Sequence, residues 1–361
     1  MNQDVLTKEN GALGIITLNR PKALNALTLE MIAHMHSSLN EWEQNKEIQA
    51  VLLHSGEKKS YCAGGDIRWL YESGKKEDKK QLQFFRDEYR LNYRIANYAK
   101  PVIALTSGLT MGGGIGISLH AALPVASDCT VFAMPETSIG FFPDIGASYF
   151  LSRCAGAMGM YLALTGNRFD AYEAQYLGLL TYVVEQQSLD SLKQDLASLS
   201  LENANSSTLE ACIASYTKPA NNPCGLEENL ESINEYFSQS SLEEVFEKLA
   251  VSDSSWAQNI LTVLKSKSPL SLKITFEQIQ KAKKLSLGQC LEMDYILSQH
   301  FMKSDDFYEG VRAMVINKDK NPRWKQRTLE EVTSEMVNCF FARENVSTLN
   351  VTSQPELLIE M

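Results

Sequence analysis

The chain has 361 residues, 44% hydrophobic and 22% charged, which is ordinary globular usage and argues against wholesale disorder. A formal net charge of -10, with no Lys/Arg stripe interleaved with aromatics, makes nucleic acid a poor partner, and no apolar stretch is long and unbroken enough to span a bilayer. The seven cysteines are scattered, odd in number and never spaced C-x-x-C, so free thiols in a reducing compartment are expected, with neither a disulfide frame nor a zinc site. The amino terminus MNQDVLTKENGALGIITLNR enters a strand-like run almost at once and leaves no room for a targeting segment. Together these features predict a cytoplasmic protein.

In chain order, Leu13 to Asn19 is a short β-branched run closed by Arg20-Pro21 and predicts a strand. From Thr28, an N-cap candidate, apolar residues recur at Leu29, Ile32, Met35, Leu39 and Trp42 and predict a helix. Ala50 to Ser55 predicts a buried strand that delivers the glycine loop Cys62-Ala63-Gly64-Gly65-Asp66. Glu77 to Ala99 has helical spacing at Leu82, Phe85, Tyr89 and Tyr93, and Lys100-Pro101 stops it. Pro101 to Thr106 is again strand-like, followed by Met111-Gly112-Gly113-Gly114-Ile115-Gly116, a helix-like run to Ala122, and strand candidates at Pro124 to Ser127 and Thr130 to Ala133. Strand, glycine loop and helix alternate twice, which argues an α/β core. After about Glu185 the sequence turns polar and helix-forming, with Ser/Asn-rich breaks at Asn203 to Ser207 and Lys218 to Gly225. The expected organisation is a core over residues 1–190 and a mostly helical region over 191–361 that closes the site.

Two backbone N–H groups that are already oriented can stabilise negative charge developing on a carbonyl oxygen, and glycine suits both positions because it lets the backbone approach closely. The loops at Gly64-Gly65 and Gly112-Gly113-Gly114 each follow a strand, and the second opens a helix whose amino-terminal dipole adds positive potential. Neither loop matches a dinucleotide fingerprint or a P-loop, and Ser118 is not in a nucleophile elbow. Glu136 and Asp144 lie eight residues apart in a segment otherwise rich in Ile, Phe and Gly. Apolar surroundings raise carboxylate pKa values toward the working range of a general acid or base, so the two form a candidate catalytic pair. The competing reading is structural, with Glu136 capping a turn and Asp144 capping a helix over Ala147 to Leu151.

Four segments resemble the crotonase, or enoyl-CoA hydratase/isomerase, superfamily: Asn19-Arg20-Pro21-Lys22-Ala23-Leu24-Asn25-Ala26-Leu27, Cys62 to Arg68, Met111 to Gly114, and Met134-Pro135-Glu136-Thr137. The resemblance implies a spiral of β-β-α repeats followed by helices that close the site and mediate oligomer packing, so a homo-oligomer is among its partner options. It places oxyanion donors on the N–H groups of Gly65 and Gly113, and CoA contacts near Ala23, Ala63, Asp66, Ile67 and Arg68, with Arg68 toward phosphate. Hydratases of the superfamily carry a glutamate where this chain has Gly116. The run MPETSIGFFPDIGASYFLSR instead resembles the branch that hydrolyses 3-hydroxyisobutyryl-CoA, as do Ser268 to Lys273, Asp306 to Ala313 and Asp319 to Trp324. For that branch the implied functional carboxylates are Glu136 and Asp144, with substrate contacts from Glu88, Gly113, Glu136 and Asp144. Without the resemblance, Glu88 in Phe84-Phe85-Arg86-Asp87-Glu88-Tyr89 would be placed on a solvated helix face. The expected substrate is an acyl-CoA thioester, with no metal and no redox cofactor. The rivals are a hydratase or isomerase of the same fold and a catalytically silent acyl-CoA-binding protein.

Overall fold

The computed structural model describes residues 4–199, 206–217 and 225–351. Among the described residues, ten strands form two sheets: β1 (Val5–Asn10), β2 (Leu13–Leu18), β3 (Ala50–Ser55), β4 (Ser60–Cys62), β5 (Val102–Thr106), β6 (Leu109–Met111), β7 (Leu123–Ser127), β8 (Val131–Ala133), β9 (Phe169–Asp170) and β10 (Tyr182–Val184). The larger sheet runs β1-β2-β3-β5-β7-β10 and the smaller β4-β6-β8-β9. From β2 onward the larger sheet is parallel, with Leu13 opposite Ala50 and Val51 opposite Val102. Parallel strands are covered on both faces, which is why β5 is buried at every residue and reads as a continuous apolar run. The edge strand β1 pairs antiparallel with β2 and exposes Leu6 to Asn10. Its sequence VLTKEN lacks apolar alternation because an edge strand keeps a solvated, charged character, and so it escapes sequence pattern.

Each turn of chain places one strand in each sheet: β3 then β4, β5 then β6, β7 then β8. This is the β-β-α spiral that the resemblance implies. Among the helices, α1 (Leu29–Gln44) starts at Thr28, whose side chain accepts from Met31 N, and α2 (Ile67–Lys75) starts at Asp66, whose side chain accepts from Trp69 N. The helix α3 (Lys80–Ala96) turns Phe84, Phe85, Glu88, Tyr89 and Asn92 inward. The expected helix up to Ala122 is much shorter, since α4 spans only Gly113–Gly116. Ser118 Oγ donates to the carbonyls of Gly114 and Ile115 and ends it.

A large core lies between the sheets and the helices, and a second lies on the outer face of the larger sheet, where Leu13, Ile15, Leu52 and Val125 meet Leu189, Leu192 and Leu196 of the helix Leu189–Ser198. Of the expected breaks, Asn203 to Asn205 and Lys218 to Cys224 lie outside the described residues. The helices Pro269–Ala282, Leu287–Phe301 and Asp305–Val311 return toward the spiral. The last packs so closely on the segment after β8 that a Cβ added at Gly310 would lie 2.6 Å from Ile139 Cα.

The loop after β2 is tied to the small sheet by Asn25, which is fully buried and adopts φ +57. Its Oδ1 accepts from Arg20 N at 2.7 Å, and its Nδ2 reaches Ser55 Oγ at 2.8 Å and the carbonyl oxygens of Ser60 and Tyr61 at 3.2 and 3.0 Å. Asparagine tolerates this left-handed conformation better than most residues. Asn25→Ala should therefore cost about 2–3 kcal/mol in urea unfolding, by removing these buried hydrogen bonds and setting alanine in a left-handed conformation.

Candidate active site

The strands β4, β6 and β8 run parallel, so the loops leaving them emerge at one end of the small sheet. These loops begin Ala63-Gly64-Gly65, Gly112-Gly113 and Met134-Pro135-Glu136. They enclose a cavity of ≈ 80 Å³ walled by Leu70, Phe84, Phe85, Ile139, Phe141 and Phe307, into which Glu88, Glu136 and Asp144 project. The first two loops touch, because a Cβ on Gly64 would sit 3.4 Å from Gly113 N. Gly65 bridges Leu27 through the flanking groups, Leu27 N donating to Gly64 O and Asp66 N to Leu27 O. Backbone alternation therefore turns Gly65's own N–H the other way. As the first residue of α4, Gly113 has no intrahelical acceptor for its N–H. Both glycines leave room for neighbouring side chains: a Cβ at Gly65 would lie 2.9 Å from Phe84 Cζ, and one at Gly113 would displace the Glu88 carboxyl.

All three carboxylic acids are buried, at 2% exposure for Glu88, 7% for Glu136 and 6% for Asp144. Glu88 is thus no solvated residue, because the inward face of α3 carries it over the glycine loop. Glu136 opens the 3-10 turn Glu136–Ile139, and its Oε1 lies 2.9 Å from where a Gly112 Cβ would be. Oε1 of Glu88 and Oε2 of Glu136 are buried with no hydrogen-bond partner among the described residues. Asp144 Oδ2 accepts from Tyr89 OH at 2.7 Å. The helix over Ala147–Leu151, α5, has Gly146 at its N-cap with no side-chain cap, so the helix-cap reading of Asp144 does not hold, whereas the Glu136 carboxyl accepts from its own backbone N–H at the start of its turn.

Burial pushes the Glu88 carboxyl well above the usual range, with Asp144 and Glu136 adding repulsion. Glu136 is raised for the same reasons, burial first and Asp144 second, while Lys267 opposes the shift. Asp144 is raised to about 7 by burial, against the hydrogen bond from Tyr89. Lys267 is itself 9% exposed, its Nζ donating to Ser138 Oγ at 2.5 Å, and burial lowers it to about 8. Neither Tyr89 nor Lys267 stands out in the sequence; the only signals are their positions, one beside Glu88 and the other just before Ser268-Pro269.

Of the positions assigned to CoA, Ile67 and Ala63 line the cavity. Ala23 ends the 3-10 turn Pro21–Ala23, and the N–H of Ala63 donates to Leu24 O at 3.0 Å, joining that turn to the glycine loop. The Asp66 carboxylate is fully engaged, with Oδ1 accepting from Trp69 N at 3.1 Å and Oδ2 paired with Arg20 Nη2 at 2.8 Å. Arg68 is exposed, and its Nη2 donates to Val315 O at 3.2 Å.

A glycine-lined cavity at the end of a β-β-α spiral defines a crotonase-fold protein. Residues 13–341 match the family model for enoyl-CoA hydratase/isomerase, and the chain belongs to that family. It is 45% identical over 341 residues to the 3-hydroxyisobutyryl-CoA hydrolase, mitochondrial, of Xenopus laevis, covering 93% of this chain and 88% of the relative. To the protein of the same name from Homo sapiens it is 42% identical over 343 residues, covering 94% and 88%. Among solved structures, a carnitinyl-CoA dehydratase from Mycobacterium thermoresistibile matches with a TM-score of 0.90 at 34% identity, over 97% of this chain and 99% of the other. An enoyl-CoA hydratase from Rhodobacter sphaeroides matches with a TM-score of 0.85 at 32% identity, over 94% and 97%. The relatives' names correct the expectation of a cytoplasmic protein, since both hydrolases are mitochondrial. Free thiols indicate a reducing compartment, and that property does not single out the cytoplasm.

The raised pKa of Asp144 has a consequence for stability. The unfolded group titrates near 3.8 and the folded one near 7, so its contribution is present below the first value and is lost as pH rises through the second. Asp144→Asn keeps the shape without the charge. It should unfold at a higher temperature than the wild type at about pH 8, and the gap should close toward about pH 4. Thermal melts at the two pH values check this.

Proposed function

We propose that this protein hydrolyses a short β-hydroxyacyl-CoA thioester, with 3-hydroxyisobutyryl-CoA as substrate and 3-hydroxyisobutyrate and CoA as products, a step of valine degradation. The observation that carries the reading is the buried Glu136, with an unpartnered oxygen, in one small cavity with the glycine loops of Gly65 and Gly113. The names of the relatives at 45% and 42% identity support it.

In this reading the thioester carbonyl oxygen lies between the N–H groups of Gly65 and Gly113, which stabilise the charge formed on attack. Glu136 is the nucleophile or the general base. As nucleophile its oxygen bonds to the carbonyl carbon, the C–S bond breaks, CoA leaves as thiolate, and water cleaves the resulting anhydride. As base it removes a proton from the water that attacks directly. Either role needs the ionised form, which Lys267 favours. Asp144, held by Tyr89, receives the substrate hydroxyl or orients the water, and Glu88 contacts the acyl group from α3. Ala23, Ala63, Ile67 and Arg68 carry the CoA moiety, with Arg68 toward phosphate, and Asp66, whose carboxylate and N–H are both engaged, holds the loop that receives it. The chemistry requires no metal or redox cofactor.

A hydratase reading has one observation in its favour, that Glu88 brings a second glutamate to the cavity. Following free thiol and enoyl absorbance in parallel separates the two readings. Thiol release from 3-hydroxyisobutyryl-CoA and 3-hydroxypropionyl-CoA is expected, with slow loss of crotonyl-CoA. Fast enoyl loss without thiol would restore the hydratase, and no turnover of either would indicate a binding protein. Glu136→Gln should lower thiol release at least ~100-fold with the fold intact. Near-normal turnover in that variant would reject the assignment.

A further inference from the structure

Asp144 sits on an unusual turn. Ile145 adopts φ +58 and Gly146 φ +73, two consecutive left-handed residues, and the first is β-branched, a type that rarely takes this conformation. The turn is anchored at every step. Pro143 O accepts from Gln278 Nε2 at 2.9 Å, Asp144 O accepts from Ala147 N at 2.9 Å, Ile145 O bonds His120 Nε2 at 2.8 Å, and Gly146 N donates to Asp294 Oδ2 at 2.7 Å. Gln278 and Asp294 also bond each other, Nε2 to Oδ1 at 2.8 Å, and both are fully buried. They come from different helices, Pro269–Ala282 and Leu287–Phe301, and grip the chain on either side of Asp144.

Among the described residues, no Lys or Arg forms an ion pair with Asp294. An apolar side chain in place of Asp294 would leave the buried N–H of Gly146 without its acceptor, so the acid is tied to this particular backbone geometry. A buried acid with a directed bond to one backbone N–H provides orientation, which apolar packing does not.

We propose that Asp294 and Gln278 are positioning residues: they lock the left-handed turn at Ile145–Gly146 and thereby aim the Asp144 carboxylate at the cavity. The functional half rests on the role given to Asp144 above, whereas the structural half does not.

Four variants of the full chain, Asp294→Ala, Asp294→Asn, Gln278→Leu and Asp144→Asn, are compared by kcat, KM and hydrogen exchange of the peptide containing Gly146. Asp294→Ala and Gln278→Leu should accelerate exchange at Gly146 and lower kcat ~10-fold, with KM held within ~2-fold. Adding Ile145→Gly to Asp294→Ala should recover most of kcat, because glycine takes the turn without assistance. In an Asp144→Asn background, Asp294→Ala should cause no further loss. If Asp294→Ala does not fold, Asp294→Asn tests the Gln278 half of the clamp, since it keeps an acceptor for Gly146 but sets two donors against each other at Gln278, and a drop in kcat with KM held is again expected. Faster exchange with unchanged kcat in Asp294→Ala, while Asp144→Asn is inactive, overturns the positioning role. Parallel changes in kcat and KM without rescue by Ile145→Gly overturn it as well, in favour of general packing. Full activity of Asp144→Asn would overturn the role of Asp144 itself, and the exchange data would still report on the clamp.

Discussion

Burying Glu88, Glu136 and Asp144 in one cavity costs free energy twice, once for desolvating each carboxylate and again for their mutual repulsion. Both effects raise the pKa values and favour protonated acids. Hydrogen bonds and one charge oppose them: Tyr89 donates to Asp144, each of Glu136 and Asp144 accepts from its own backbone N–H, and Lys267 acts on Glu136. Much of the surrounding structure can be understood as what holds such a site together. The stability that it sacrifices is recovered in two extensive apolar cores, and the cavity wall is aromatic, with Phe85 stacked on Phe141 and Phe141 on edge to Phe307.

Topology explains how groups distant in sequence converge. A spiral that gives each turn one strand in each sheet aligns the ends of β4, β6 and β8, so two glycine loops and the Glu136 turn need only be short to meet. Close approach then dictates composition. Gly112, Gly113 and Gly65 sit where a side chain would strike Glu136, Glu88 or Phe84, so the carboxylates and the glycines constrain one another sterically. The carboxyl-terminal helices complete the enclosure by packing Gly310 on Ile139 and by bonding the segment that carries Asp144.

Much of this was legible in the sequence because local physics wrote it there. The run Ala50–Ser55 announces β3 residue for residue, since its first four residues are buried and apolar, as a strand covered on both faces requires, and its last two turn polar where the cover ends. Thr28 marks the start of α1 through the hydrogen bond its side chain makes. The two glycine loops and the pair Glu136 and Asp144 are visible as chemistry out of place in apolar surroundings. What escapes pattern is tertiary in origin. The charged strand β1 is a strand only because β2 offers it an edge. Glu88 is flanked by charge in sequence, and only the packing of α3 turns it inward. Asp144 has the spacing of a helix cap, yet Tyr89, 55 residues away, takes its side chain instead.

The same fold supports different reactions, so reaction choice has to come from which element delivers each acid. Glycine at 116 does not leave the cavity with a single glutamate, because Glu88 reaches it from α3. Position still matters more than number. At Gly116 a Cβ would lie 2.8 Å from Asn92 Nδ2 and 2.9 Å from Ile145 Cβ, so that place is filled by packing and holds no acid. The acid that is present instead stands over the amino terminus of α4, against Gly113, on the side of the carbonyl oxygen in the proposed complex. Glycine at 116 and glutamate at 88 thus form one steric solution, in which Asn92 and Ile145 close the first place and α3 opens the second.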